Sequence, residues 1–541
     1  MGEPGYQKWI IAGTVMTGTA MAVLDSSIVN VALPQMSGTL GASLEEITWV
    51  VTAYILSTVI MMPILSFLSS RFGRKRFYMF SVVLFTGASM ACGLARSLPV
   101  LVLFRIVQGL GGGVLTTISQ AILRESFPPE EQGMAMGVYG MGAVVAPAVG
   151  PTLGGWITDN YSWPWIFYIN IPIGLLNLFL VSRFVHDPPY LIREKGKVDW
   201  TGLVLMAVGL GALQLMLEKG QQEDWLSSRL IVTLLVTAVV GLALFVWREL
   251  AVDKPVVDLR LLRDSTFSSA TALGGVLGMG LYASLFLVPV FVQSLLGYPA
   301  VESGLVLMPR SLAMVVLMPI GGLLYNRLGP RALVGSGLVV SIYSFWQLSH
   351  LTAEMGFWDI FFPQLWQGVG FSLVFVALST AALGRIPKPK LTAATGLYNV
   401  ARQVSGSIGI AIAATLLARD TFRYHAVLGE HVSAMNEPTR LWLSQVTAGM
   451  MRQGADRFTA ARRALALLDL NVTKQAAVLA YNHVFLLITM LFALGAPLVL
   501  LLRRGKAQAG HSELAVENSL SPGVAPCAAG RSGRYGRRCA G

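Results

Sequence analysis

The chain has 541 residues, of which 54% are hydrophobic and 13% charged, with a formal net charge of +12 and a mean hydropathy of +0.63. A water-soluble domain carries about a quarter of its residues as charges, so this composition excludes a soluble globular protein and makes lipid the solvent. The apolar stretches run on without alternation, which excludes a barrel and requires helices, since hydrocarbon forces each segment to satisfy its own backbone.

Crossing about 30 Å of hydrocarbon takes roughly 20 helical residues. Fourteen such stretches follow one another, at 10–33, 47–68, 78–95, 100–122, 134–157, 165–184, 201–217, 230–247, 268–295, 304–325, 332–350, 357–381, 392–417 and 481–502. The expected fold is an all-α polytopic membrane protein. The first stretch has only Lys8 ahead of it and no small-residue cleavage signal, and it is too long for a signal-peptide core, so it is read as structure.

Asp25 lies about fifteen residues into the first stretch, roughly 22 Å along a helix rising 1.5 Å per residue. A lone carboxylate at that depth is costly when charged, and desolvation raises its proton affinity. Asp25 is therefore the candidate group whose protonation could bias one state of the protein over another. The plainer alternative is a carboxylate satisfied by the hydroxyls of Ser26 or Ser27.

In the fourth stretch Arg105 is a second embedded charge, which burial requires to be paired or hydrogen-bonded. Gln108, Gly109 and Gly112 share its helix face. The fifth stretch carries Gly137, Pro147, Gly150, Pro151, Gly154 and Gly155. Its glycines allow close helix approach and its prolines loosen the backbone ladder. Arg310 in the tenth stretch and Arg402 in the thirteenth are candidate cavity charges, meeting a structural partner, a carboxylate or an anionic substrate. Glu125, His186 and His483 lie near span ends and are expected to be solvated.

Lys and Arg crowd alternate loops: Arg71, Arg74, Lys75, Arg76, Arg124, Arg193, Lys195, Lys197, Lys254, Arg260, Arg327, Arg331, Arg385, Lys388, Lys390, Arg503 and Arg504 fall on one side. The opposite side holds little more than Arg96, Lys219 and Arg229. This asymmetry puts both termini in the cytoplasm and explains the net charge by anionic headgroups rather than nucleic acid. Cys92, Cys527 and Cys539 give no disulfide framework, and no metal-ligand cluster is visible.

The chain repeats itself. Arg71-Phe-Gly73-Arg74 is matched by Arg327-Leu-Gly329-Pro330, Gln108-Gly109 by Gln367-Gly368, and Gly137-x-Tyr139 with Gly150 by Gly396-x-Tyr398 with Gly409. The last two pairs share an offset of 259 residues. Three matches in one order indicate two homologous halves, 1–200 and 266–504, with two extra spans inserted at 201–265. Paired halves of this kind hold a substrate cavity between them near the bilayer midplane. Residues 418–480 form a long polar excursion outside the membrane, partly helical from Trp442 to Leu470. Residues 505–541, rich in Gly, Ala, Ser and Arg, read as a disordered cytoplasmic tail.

The motifs resemble a known family. Leu24-Asp25-x-x-Ile28-Val29-Asn30-Val31-Ala32-Leu33-Pro34 resembles the first-helix motif of the fourteen-span drug:proton antiporters of the major facilitator superfamily. Arg105-x-x-Gln108-Gly109 is similar to the fourth-helix motif. Pro147-x-x-Gly150-Pro151-x-x-Gly154-Gly155 is similar to the antiporter motif of the fifth helix, and Trp165 to Gly174 to the sixth helix. The segment from Leu213 to Trp225 and the long outer excursion look most like the EmrB branch.

The resemblance implies a multidrug efflux pump of the bacterial inner membrane, exporting small amphipathic compounds against inward proton flow and contributing to antibiotic resistance. It implies Asp25 as proton carrier, Arg105 as its modulator, and the fifth-helix glycines and prolines as a gate. It also implies a periplasmic adaptor (membrane fusion) protein and an outer-membrane channel as partners, with no cofactor beyond the proton gradient. One departure stands out: in the cytoplasmic motif Arg71-x-Gly73-Arg74, Ser66 and Ser70 replace the family's Gly and Asp, which removes the charge that would latch a helix dipole. A dedicated exporter of one endogenous metabolite (a siderophore, fatty acid or antibiotic) remains the alternative, with a non-transporting receptor behind it. An enzyme is not expected, because no nucleophile–base or metal constellation occurs.

Overall fold

The computed structural model describes residues 6–187, 199–252, 255–433 and 435–503. The expectation of a disordered tail over 505–541 lies outside the described residues, as do Arg193, Lys195, Lys197, Lys254 and Arg504. Among the described residues there are no strands, and thirteen helices are long and apolar enough to cross a membrane.

The thirteen helices contain fourteen spans. Ala300–Leu348 is 49 residues long, about 74 Å if straight, far more than one crossing needs. It breaks at Gly329, whose φ is 79°, and Pro330 starts the next helix in the place where a missing N–H costs nothing. The stretch is thus the tenth and eleventh spans joined by a tight turn. The same break separates the second span (Trp49–Phe72) from the third (Arg74–Gly93) at Gly73, with φ 86°. Both glycines belong to the repeated Arg-x-Gly motif, and a left-handed residue at each is where glycine alone is unstrained.

The remaining spans are the first (Gln7–Leu40), fourth (Leu98–Ser126), fifth (Gln132–Asn160) and sixth (Trp165–Phe184), and the inserted seventh (Trp200–Lys219) and eighth (Arg229–Ala251). The ninth is Ser265–Ser294, the twelfth Phe357–Gly384, the thirteenth Leu391–Glu430 and the fourteenth Arg457–Gly495. Packing repeats with the sequence. The first span pairs with the fifth and the second with the fourth; likewise the ninth pairs with the thirteenth and the tenth with the twelfth. The inserted pair packs on itself, with the seventh span also touching the second and thirteenth.

The polar excursion is more regular than its composition indicates. The thirteenth and fourteenth helices have 40 and 39 residues, about 60 Å each, so both continue well past the hydrocarbon. A short helix, Glu437–Arg452, joins them and lies against the fourteenth. His483 Nδ1 meets Asp420 Oδ2 at 2.7 Å and His425 Nε2 meets Asp469 Oδ1 at 3.0 Å, which clips the two extensions together. Polarity in the sequence marked the end of the membrane, not the end of the helices.

Candidate functional site

The site grows from four helices, each of which brings a polar group into the bundle. Asp25 is fully buried. It was expected to stand alone or to lean on Ser26 and Ser27; instead it is the hub of a network. Arg105 Nη1 meets its Oδ2 at 2.5 Å. Gln108 Nε2 and Asn170 Nδ2 each donate to its Oδ1 at 2.8 Å. The neighbouring hydroxyls turn elsewhere: Ser26 Oγ donates to Val23 O and Ser27 Oγ to Pro147 O.

Arg105 is held on several sides. Its Nε donates to Val50 O at 3.0 Å, Nη1 also reaches Gln108 Oε1 at 2.8 Å, and the guanidinium carbon lies 4.2 Å from the centre of the Tyr54 ring. Arg105 Nη2 and Asn170 Oδ1 are buried without a hydrogen-bond partner. The first, second, fourth and sixth helices are thus tied by one acid–base cluster. A buried pair like this is strongly destabilised when one partner loses its charge. Asn170 and Tyr54 were absent from the expected site residues; an asparagine in the apolar sixth span was the available signal.

The fifth helix links this cluster to the contact between the halves. A Cβ on Gly150 would stand 2.6 Å from Ser27 Oγ, and one on Gly154 2.6 Å from Ile28 Cγ1. The helix therefore rides on the two residues just beyond Asp25 and its neighbour. Gly155 does not share this role, because a Cβ there would sit 3.8 Å from Val31, an ordinary contact. At its other end the same helix meets the tenth span. Gly133 faces Gly322 backbone to backbone, and Gly137 is pressed against the carbonyl of Met318. The second half repeats the contact with Gly396 against Met62 O.

These contacts lie at the basic ends of the helices, and polar links join them there. Arg124 Nη2 donates to Leu383 O at 3.2 Å, Asn399 Nδ2 to Gln120 Oε1 at 3.1 Å, and Asn326 Nδ2 to Glu130 O. The halves are closed on the basic face. Asn30 and Pro34 are exposed on the first helix and lie outside the Asp25 cluster. Gln108 belongs to the cluster; Gly109 instead lets the fourth helix close on Tyr54 O and Ser57 of the second.

The loop motif behaves differently from its residue types. Ser70 Oγ donates to Phe67 O within its own helix and caps nothing. The carboxylate at this junction is Glu125, at the end of the fourth helix, and it pairs with Arg74. Glu125 was expected to be solvated, yet its side chain is 12% exposed. Arg71 is exposed. His483, also expected to be solvated, is paired with Asp420, and His186 is exposed.

In the second half Arg310 is 3% exposed. Its Nη1 reaches Ser284 Oγ at 3.2 Å and Gln367 Oε1 at 3.1 Å. Arg402 is half-buried, its guanidinium carbon 5.1 Å from the centre of the Phe375 ring. Among the described residues no carboxylate lies within 4 Å of either guanidinium.

A family model described as "Major Facilitator Superfamily" matches residues 15–410. The chain is 37% identical over 487 residues to the multidrug export protein EmrB of Haemophilus influenzae, covering 88% of this chain and 91% of that one. It is 35% identical over 483 residues to the fatty acid resistance protein FarB of Neisseria gonorrhoeae, covering 88% and 93%. Among solved structures, the human organic anion transporter MFSD10 superposes with a TM-score of 0.55 at 14% identity, covering 91% of this chain and 100% of that one. A double tryptophan mutant of XylE gives 0.56 at 13%, covering 92% and 97%. At such identities these two speak for the fold alone.

Proposed function

The chain belongs to the Major Facilitator Superfamily, as a multi-pass membrane transporter, and from that premise we propose that it exports amphipathic compounds in exchange for protons. The relatives' names, multidrug export and fatty acid resistance, support the direction and the amphipathic class. The single observation that carries the coupling is the buried Asp25–Arg105–Gln108–Asn170 cluster, two residues from the fifth-helix glycines on the first helix.

In the closed form the carboxylate is ionised and holds four helices. When water reaches the site, a proton on Asp25 cancels the charge that Arg105 needs, and the first helix is released from the fourth. The fifth helix, seated on Ser27 and Ile28, carries that release to its contacts with Met318 and Gly322. Proton uptake thereby selects the arrangement in which the basic face is open.

The loop charges support a cytoplasmic basic face and cytoplasmic termini. The paired extensions of the thirteenth and fourteenth helices then project into the periplasm, where they dock an adaptor protein that leads to an outer-membrane channel. Removing the segment 431–456 and measuring adaptor co-purification tests this; undiminished recovery rules the extension out. The coupling itself is tested by substrate-driven proton movement in proteoliposomes. An Asp25→Asn protein that still accumulates substrate against a gradient would take the proton role away from Asp25.

A further inference from the structure

The segment from Leu213 to Trp225, where the seventh span ends, takes no part in the Asp25 cluster, yet it bridges the two halves. The seventh helix packs along the second of the first half: Met206 shares an apolar cluster with Ile64, and Gly211 faces Leu56 and Ile60. Lys219 Nζ donates to Thr48 Oγ1 at 3.2 Å, just ahead of the second span. Side-chain hydrogen bonds join the same segment to the thirteenth helix. Gln214 Nε2 donates to Ser407 Oγ at 2.8 Å, and Trp225 Nε1 to Thr415 Oγ1 at 2.9 Å. At the basic end the thirteenth helix lies directly on the second, with Gly396 against Met62 O; further from that face its polar links go to the inserted helix instead.

Glu218 sits inside this bridge, one residue before the end of the seventh helix. It is partly buried and faces Thr52 of the second span, and its Oε1 accepts from Gln214 Nε2 at 3.2 Å. Gln214 is 1% exposed, and its own Oε1 is buried without a hydrogen-bond partner. A carboxylate at the negative end of a helix, inside a membrane protein, is costly when ionised. Among the described residues no cation lies within 4 Å of this one. Lys219 reaches it electrostatically, but Lys219 Nζ is committed to Thr48 and Gln222. Of the other charged groups on the surrounding elements, Glu45, Glu46, Glu223, Asp224, Arg229 and Arg419 are exposed, and Arg402 lies over the Phe375 ring.

We propose that Glu218 is a second proton-binding site of the transporter, and that its protonation unfastens the seventh helix from the thirteenth. Ionised, the carboxylate accepts one N–H of Gln214 and so aims the other at Ser407. A proton taken from water turns Glu218 from acceptor into donor, and the bare oxygen of Gln214 is the acceptor beside it. An amide that turns its oxygen toward Glu218 carries its N–H away from Ser407, whose own hydroxyl is given to Gln403 O at 3.4 Å. The inserted helix stays on the first half through apolar packing, so the half that is freed is the second. This rests on the exchange reading for the use made of the proton, not for the bridge or its titration.

The test is a distance distribution between spin labels at Leu226→Cys and Phe422→Cys, both exposed, in full-length protein in lipid nanodiscs with Cys92, Cys527 and Cys539 replaced by serine. Acidification over about pH 9 to 4, the range in which protein carboxylates titrate when perturbed, should raise the long-distance population by roughly two- to tenfold, the worth of one hydrogen bond. The response should persist when Asp25→Asn and Arg105→Gln remove the first cluster, so failure of Asp25 as proton carrier and failure of this site give different results. Adding Glu218→Gln, whose amide donates to Gln214 as a protonated carboxyl would, should fix the acid distribution at every pH. Ser407→Ala, which leaves the carboxylate in place, should shift the distribution the same way and flatten its pH dependence. A titration unchanged by Glu218→Gln in folded protein overturns the proposal. So does a distribution that ignores pH without any substitution at Glu218 or Ser407, a result that no misfolded variant can obscure.

Discussion

The two halves carry the same scaffold and opposite electrostatics. The offset of 259 residues places Ser284 where the first half has Asp25, Gln364 where it has Arg105 and Gln367 where it has Gln108. In the first half an acid and a base neutralise each other and bind four helices. In the second the acid has become a serine, and the guanidinium, Arg310, comes from the tenth helix instead of the twelfth. Both side-chain polar atoms of Gln364, and Gln367 Nε2, are buried without partners. A duplicated bundle can thus keep its packing glycines in register while its buried charges diverge. Packing depends on shape shared by both copies, whereas a buried charge depends only on what faces it.

The largest effect should come from breaking the first half's pair. Asp25→Asn leaves Arg105 buried and uncompensated, so stability should fall by about 3–5 kcal/mol, and substrate-driven proton movement should disappear. Making both changes, Asp25→Asn with Arg105→Gln, removes the stranded charge. Denaturation should then recover most of the stability while proteoliposomes still show no coupled transport. A double variant that pumps would reduce the cluster to packing.

Shape is where the halves should behave alike. Gly137→Val and Gly396→Val both drive a side chain into backbone of the opposite half. Overpacking of this kind costs about 1–3 kcal/mol, enough to move a two-state equilibrium by roughly one or two orders of magnitude. Each substitution should open the basic face, read as faster labelling of a cysteine introduced at Ala394, and should slow transport. A seal that stays shut in only one of the two variants would show that the halves differ in packing as well as in charge.

The comparison sharpens further if the second half is given an acid. Ser284→Asp sets a carboxylate against Arg310 and should raise thermal stability by about 1–3 kcal/mol, the worth of a charge-assisted hydrogen bond. Combined with Asp25→Asn it should not restore proton coupling, since the fifth helix does not ride on the ninth.

The smallest effect is expected at Gly155. Its Cβ would make an ordinary contact with Val31, so Gly155→Ala should leave transport unchanged and shift stability by no more than about 1 kcal/mol, in the favourable direction for a helix. Gly154→Ala, with Ile28 Cγ1 at 2.6 Å, should be damaging. Equal behaviour of the two would return Gly155 to the motif.

Much of this was legible in the amino-acid sequence because lipid imposes a simple rule. Every spanning segment must be apolar, helical and about twenty residues long, so the fourteen spans and the repeated halves could be read from hydropathy and three short motifs. Asp25 and Arg105 were visible for the same reason, as charges in segments that exclude them.

Partnership was not legible. Asp25 and Arg105 are eighty residues apart in the chain, and no spacing rule joins a carboxylate to a guanidinium on another helix. The pairing of Arg74 with Glu125, the seat of Arg402 over the Phe375 ring, and the absence of an acid near Arg310 among the described residues likewise emerged only when the helices were packed. Sequence sets the energetic cost of each buried group, residue by residue; only tertiary structure decides which neighbour offsets that cost and which group is left to meet a ligand.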